Sequence, residues 1–297
     1  MRYASYVLYR YAIFDGADDL VEHEKHRKIV RSARGEGAPY RSRDPGAGDL
    51  NNYIMRYKSK TIEGEKASIF DVGYKIASRV ENRWDEATDE FDLVETTAND
   101  VVFTRVILIP KLGLAAVKDG SSDRLPARSG IGRTRSIIEF VTDYTFDYAK
   151  TAEFEDVERA MKLYRVVEFD FKVRPFNPHP KNPGDRLHEL MEIAKVGSLR
   201  GHAEPSAVGG MKKEEDGLLD EVVGLSKSGY GRFNLKAETK TGAKIAFGQT
   251  RFTGDREKDE VASQRPRELK VSVPRDDVES REEAQVVKVM KELFGGG

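Results

Sequence analysis

The chain has 297 residues and no cysteine, which excludes a disulfide scaffold, a thiolate metal site and a cysteine nucleophile. Its 50 lysines and arginines nearly balance its 51 aspartates and glutamates, so net charge alone favours neither an anionic nor a cationic partner. The longest apolar run, residues 101–109, is too short to cross a bilayer, and no apolar segment typical of a signal peptide follows Met1. We therefore expect a cytoplasmic protein without membrane insertion.

Hydrophobic periodicity predicts a first, β-rich unit with basic loops over residues 1–141. Alternation predicts a strand over residues 3–14, and a polar helix is expected to follow Asp18 and Asp19 and to end near Ser32. Residues 33–50 are rich in Gly, Pro, Ser and Asp, which is typical of a long exposed loop. A β-meander is expected next, with strands at residues 53–59, 67–76, 91–96, 101–109 and 114–118.

A second unit, over residues 142–297, is predicted to combine helices and strands. A strand at 144–149, a helix at 153–163 and a strand at 165–174 follow the order of a split βαβ, or ferredoxin-like, half. The predicted fold class is therefore α+β, with a β-meander N-terminal unit coupled to a ferredoxin-like C-terminal unit. The remaining predicted elements are a helix ending near residue 195, a helix at 216–225, a hairpin of 232–238 with 243–247, a strand at 269–273 and an amphipathic helix at 278–294.

Basic residues are concentrated in two segments, 25–60 and 124–135, and the stretch between them is acidic. Arginine and lysine neutralise phosphates, and Tyr40, Tyr53 and Tyr57 add aromatic faces to the first segment. Since no helix-turn-helix, zinc finger or RNP motif occurs, any binding of nucleic acid is expected to be independent of sequence. The predicted phosphate-binding residues are Arg27, Arg31, Arg34, Arg41, Arg43, Arg124, Arg128, Arg133 and Arg135.

The second basic segment is also rich in serine and glycine, which predicts a loop that ends where a short helix begins at Ser136. The N-terminus of that helix would then face a bound anion. Two other interpretations remain open. The charges can cancel on solvated faces, or the basic loops can dock an acidic protein partner.

An enzymatic alternative rests on Asp170 and Lys172, a D-x-K triplet on the predicted strand 165–174. With a further acid on an adjacent strand, Asp143 or Asp147, such a triplet can hold Mg²⁺ and orient a water for phosphodiester cleavage. Amphipathic alternation explains the same residues without any catalytic role. His23 and His26 have helical spacing, but the cations beside them disfavour a metal site. We expect no catalytic residue, no metal and no cofactor as the leading interpretation.

The arrangement of residues 100–250 resembles the RexA-type phage-exclusion family and similarly built prokaryotic defence proteins. The shared order is a hairpin at 101–118, a short helix, a strand–helix–strand, a basic strand end at 171–178 and a polar hairpin at 234–242. The resemblance implies DNA binding without strict sequence preference, dimerisation and a role in phage exclusion. It assigns no individual residue.

Together these observations predict a sequence-independent DNA-binding protein that acts as a sensor or component of phage defence. DNA is expected over RNA, and a partner protein of a defence operon and a homo-oligomer are expected as well. The alternatives are the Mg²⁺-dependent nuclease and a non-catalytic protein–protein adaptor. In the adaptor hypothesis the C-terminal helix forms the seam of a homodimer.

Overall fold

The structure is a computed structural model of the chain. The residues that it describes are 3–40, 50–75, 79–85, 90–96, 101–120, 125–150, 153–174, 186–207, 209–211, 214, 217–248, 268–276 and 278–295.

By its internal contacts the chain divides into two compact units. The N-terminal unit comprises Tyr9–Ala149, and the C-terminal unit comprises Met1–Leu8 together with Lys150–Gly297. Each contains helices and a sheet, which confirms a mixed α+β class. Among the described residues, no helix is both long enough and apolar enough to cross a membrane.

The elements from the first strand to residue 150 are β1 (Tyr3–Phe14), α1 (His23–Ser32), β2 (Ala38–Tyr40), β3 (Leu50–Ile62), β4 (Glu65–Lys75), β5 (Arg79–Asp85), β6 (Glu90–Thr96), β7 (Val101–Ile109), β8 (Leu114–Lys118), α2 (Ala127–Val141) and β9 (Thr145–Lys150). The sheet of the N-terminal unit has the strand order β1–β8–β7–β4–β3–β2, and β9 also pairs with β1. Four of its strand pairs are antiparallel: β2–β3, β3–β4, β4–β7 and β7–β8. Strands β5 and β6 form a separate hairpin. A short 3₁₀ helix (Pro110–Leu112) and Gly113, at φ +60°, connect β7 to β8.

The elements after residue 150 are α3 (Phe154–Leu163), β10 (Arg165–Val173), α4 (Arg186–Ile193), β11 (Leu199–Ala203), α5 (Leu218–Lys227), β12 (Gly231–Glu238), β13 (Lys244–Gly248), β14 (Glu268–Pro274) and α6 (Glu279–Phe294). The sheet of the C-terminal unit has the order β11–β10–β12–β13–β14–β1, and each of these pairs is antiparallel. Helices contact one side of this sheet: α5 lies against β10 and β12, and α6 lies against β14.

The first strand serves both units, and its buried positions change where it passes from one to the other. Near its start Ala4 is buried and Tyr3 and Ser5 are not, residues 6–9 are all buried, and toward its end Tyr11 and Ile13 are buried. Even-numbered positions thus give way to odd-numbered ones across a fully buried middle. The alternation predicts one face of odd-numbered residues along the whole strand, but its first two members are not buried. Regular alternation does not show which face a core will cover.

Most predicted strands are confirmed, but three were missed: β2, β5 and β11. Alternation predicts that Val167, Phe169, Phe171 and Val173 share one face of β10, and the last three are buried. Val167 is half-exposed, because a register shift between Val166 and Glu168 interrupts the alternation. The apolar stripe of α6 is buried within its own unit, and Phe294 at the end of the helix is partly exposed; the buried residues are Val286, Val287, Val289, Met290 and Leu293. These five residues are therefore not available for the homodimer seam of the adaptor hypothesis.

Candidate nucleic-acid interface

Helix α1 is fixed to its unit by one face and exposes the other. Ile29, Val30 and His26 are buried, whereas Lys28 and Arg31, on the opposite side of the helix, are exposed. The charges also suit the helix dipole, because Glu24 lies in the first turn and Arg31 in the last.

His26 attaches α1 to the start of the unit. Its Nε2 lies 2.9 Å from the Val21 carbonyl oxygen, which can only accept a hydrogen bond, so Nε2 carries the proton. Nδ1 then accepts from the Tyr11 hydroxyl at 3.3 Å. Burial lowers the pKa of His26, with a smaller contribution of the same sign from His23. Both ring nitrogens are therefore occupied in the neutral form, which leaves neither to bind a metal ion.

The exposed side of α1 borders an open cleft of about 430 Å³. Tyr57 and Ser59, on β3, form the wall opposite the helix. The Tyr57 hydroxyl donates to the Arg27 carbonyl oxygen at 3.2 Å, and the Arg27 guanidinium donates to the Ser59 hydroxyl. We call this the α1 cleft; its lining residues are Glu24, Arg27, Lys28, Arg31, Arg34, Tyr57 and Ser59.

The cleft has four cations and one carboxylate. Glu24 is placed to support Arg27 and Lys28, its i+3 and i+4 neighbours. Arg27 and Arg31 are a like-charged i,i+4 pair, which costs a free helix about 0.2–0.5 kcal/mol. Among the described residues, no carboxylate pairs with Lys28, Arg31 or Arg34. The cleft therefore has an excess of positive charge that an anion would stabilise.

The predicted Arg/Ser/Gly loop is wrong from Ala127 onward, because α2 begins there, nine residues before Ser136. The Ser136 hydroxyl donates to the Gly132 carbonyl at 3.1 Å, so Ser136 lies within the helix and does not cap it. Gly130 is required for close packing: a Cβ there would lie 2.4 Å from the Thr104 methyl group. The expected anion site at the helix start near Ser136 is therefore absent.

The arginines of α2 have different environments. Arg133 is buried; its guanidinium donates to Asn52 and lies 4.7 Å from the centre of the Tyr74 ring. It thus holds α2 to the sheet and is not on a binding surface, contrary to the prediction. Arg135 is exposed and pairs with Glu139 at 2.9 Å, and Arg128 is exposed in the first turn. Arg41, Arg43 and Arg124 lie outside the described residues.

Helices α1 and α2 pack on the same face of the N-terminal unit's sheet. Tyr74 and Val72 of β4 meet α2, and Ser68, of the same alternation, donates a hydrogen bond to the Tyr57 hydroxyl at 3.1 Å. Tyr57 in turn contacts α1. The side chains that meet the two helices therefore share one face of β4. Arg128 and the α1 cleft project from helices that cover this one face.

The residues of the nuclease alternative are not assembled as that hypothesis expects. Asp170 accepts a hydrogen bond from His202 Nδ1 at 2.7 Å, and Glu204 lies 3.3 Å from Nε2 of the same ring. Asp147 lies on β9, which pairs with β1, whereas the neighbours of β10 are β11 and β12. Within the described ranges, no three His, Asp or Glu side chains are arranged to hold a metal ion.

The sequence prediction included Tyr57 as an aromatic face of the basic segment but left out Lys28 and Ser59, which line the same cleft. Helical spacing could have found Lys28, which lies between Arg27 and Arg31 on the exposed side of α1. The β3 residues depend on a register shift between Met55 and Lys58, which only the paired sheet defines. Comparison with models of known protein families and with curated proteins finds no match to this chain.

Proposed function

We propose that the chain binds nucleic acid without sequence preference, and DNA in preference to RNA, through the α1 cleft. The observation that carries the proposal is the grouping of Arg27, Lys28, Arg31 and Arg34 around one cleft with a single carboxylate. Guanidinium and ammonium groups bind phosphate oxygens, which are the same at every base pair. Arg128, exposed on α2, extends the basic surface on the same face of the sheet.

For the biological role we propose a sensor or component of prokaryotic phage defence that acts in the cytoplasm as a homo-oligomer, with a partner protein from the same operon. The support for this part is the resemblance of residues 100–250 to the RexA-type family. The ferredoxin-like description of the C-terminal unit also stays a prediction. The chain order β9, α3, β10 supports it, although β9 and β10 pair with different strands.

The experiment is fluorescence anisotropy with a labelled duplex of about 30 base pairs and its single strand, across a salt series with and without Mg²⁺. Binding that weakens steeply with salt while the DNA stays intact is the expected result. Loss of the labelled fragment only with Mg²⁺ would instead favour the nuclease with Asp170 and Lys172. Absence of binding at low salt would reject the proposal in favour of the protein–protein adaptor, to be tested by a pull-down that survives nuclease treatment.

A further inference from the structure

The α1 cleft follows its helix lengthwise. Glu24 lies in the first turn of α1, Arg31 lies in its last turn, and Arg34 comes just after the helix ends. Arg27 and Lys28 are each three or four residues from both Glu24 and Arg31, which places these four residues on one side of the helix. The cleft is therefore a groove between α1 and β3 and not a round pocket.

Charge is distributed unevenly along this groove. Glu24, the carboxylate among its described lining residues, lies near the N-terminus of the helix, whereas the cations continue from Arg27 to Arg34. Arg27 and Arg31, four residues apart, are separated by about 6 Å along the helix axis. Successive phosphates of an extended single strand are separated by a comparable distance. The basic part of the groove can therefore follow the backbone of a strand.

Arg27 holds a donor that the described residues leave without an acceptor. Its Nε is buried and has no hydrogen-bond partner there, although the same guanidinium donates to Ser59. A buried N–H group without an acceptor costs free energy, and the cost is larger when the group is charged. A phosphate oxygen bound beside Arg27 would supply the acceptor. Besides the charge of the groove, this donor therefore points to an anionic ligand.

Tyr57 adds an aromatic ring whose position is fixed. Its hydroxyl donates to the Arg27 carbonyl oxygen at 3.2 Å and accepts from the Ser68 hydroxyl at 3.1 Å. The ring lines the groove and is half-buried. Because every base has a π face, a base of any kind can stack on such a ring while its phosphates lie on the neighbouring cations.

The size of the groove distinguishes a single strand from a duplex. Its volume of about 430 Å³ is that of a site for one small organic molecule, so it can hold about one or two nucleotides. A duplex, whose major groove alone is about 12 Å wide, is too thick to enter. Its phosphates can reach only the exposed cations, Lys28, Arg31 and Arg34.

We infer that the α1 cleft is a site for single-stranded nucleic acid, in which a base stacks on Tyr57 and the flanking phosphates bind Arg27 and Arg31. The inference rests on the proposed function and narrows it, because it names the form of nucleic acid that enters the cleft. A duplex binds the same surface through phosphates alone.

The test compares Tyr57→Leu with Tyr57→Phe. Both variants lose the hydroxyl and its hydrogen bonds to Arg27 and Ser68, but only Tyr57→Phe keeps a π face. Each is titrated by anisotropy with a labelled oligothymidylate of about 15 nucleotides and with a duplex of the same length. Thermal melts followed by circular dichroism establish that the variants fold, and Tyr57→Met replaces Tyr57→Leu if the latter does not.

The loss of one stacked base weakens single-strand binding by about 5- to 150-fold. We expect this loss for Tyr57→Leu, nearly the wild-type affinity for Tyr57→Phe, and equal duplex affinities for the two variants. Equal strand affinities of the two folded variants would overturn the inference. A loss of the same size for strand and duplex would overturn it too, because only the strand can make the stacking contact.

The failure of this inference is distinguishable from the failure of the proposed function. Arg31→Ala with Arg34→Ala is titrated alongside with both ligands, since it removes phosphate contacts from each. If it weakens both while the two Tyr57 variants bind the strand equally, the cleft binds phosphates but no strand enters it. If it weakens neither, the proposed function fails, and this inference fails with it.

Discussion

Replacing Arg31 and Arg34 together by alanine tests whether the α1 cleft contacts phosphates. Both residues line the cleft and are exposed, and no described carboxylate pairs with either. Exposed substitutions of this kind usually change the free energy of unfolding by no more than about 0.5 kcal/mol. A loss of binding will therefore report lost contacts and not lost structure.

The expected magnitude follows from counter-ion release. Each phosphate contact on duplex DNA contributes about 0.9 to the slope of log K against log salt, so two contacts contribute about 1.8. At about 0.1 M salt this corresponds to a roughly 60-fold weaker affinity of the double variant. The difference shrinks as salt rises, which distinguishes it from a loss of neutral contacts.

The assay is duplex anisotropy at four or more salt concentrations, with Lys25→Ala and Lys240→Ala as the control. Lys25 is on the same helix but pairs with Glu22 at 3.4 Å, and it does not line the cleft. The control removes two positive charges, as the test variant does, and should keep nearly the wild-type slope. Equal slopes for the two folded double variants would refute the assignment of the cleft.

Three further predictions concern stability and protonation. Asp170→Asn should lower the pKa of His202, since the hydrogen bond to Asp170 is the main cause that raises it; an unchanged NMR titration would contradict this. Gly130→Ala should destabilise the protein by about 1–3 kcal/mol in urea unfolding, whereas Gly224→Ala, in an exposed helical position with open space, should not. Because the folded pKa of His26 is lowered, the stability that it contributes should be present above its ordinary value of 6.5 and fall as the pH drops through the folded pKa. A His26→Gln variant that kept this acid sensitivity would refute the last prediction.

The elements predicted well from sequence are those in which periodicity and burial coincide. β7 and β8 read as two apolar strands joined by a Pro–Gly turn, and the structure confirms both with the predicted bounds. The sequence predicts a loop over the first part of α2 because Gly is a poor helix former and Ser an intermediate one. Its stability comes from packing, since Gly130 lets the helix approach the sheet closely. Helix propensity alone therefore does not predict α2.

The same limit applies to functional residues: those related by helical spacing could be predicted, and those related by sheet register could not. The spacing of Arg27 and Arg31 on a polar helix is visible in the sequence, so the exposed side of α1 could be predicted. The strand neighbours of Lys172 could not be predicted, because Arg200 and Arg232 come to lie beside it only through the registers of β10 with β11 and with β12. Residues 28 and 60 positions away in the chain become neighbours by sheet topology, which a single sequence leaves open.

Buried arginines must be distinguished from exposed ones before the effect of an arginine substitution on binding is interpreted. Arg105 is buried and donates to Asp71 at 2.9 and 3.3 Å, and Arg133 is buried against Asn52. Charge reversal at either position would place an uncompensated carboxylate in the interior, at a cost of several kcal/mol. Weaker DNA binding by Arg133→Glu would therefore follow from an altered fold whether or not the protein binds phosphates. Variants at Arg31 and Arg34 can distinguish lost phosphate contacts from an altered fold, because these charges can be removed without disturbing the core. The solvent-exposed Lys25 serves as their control.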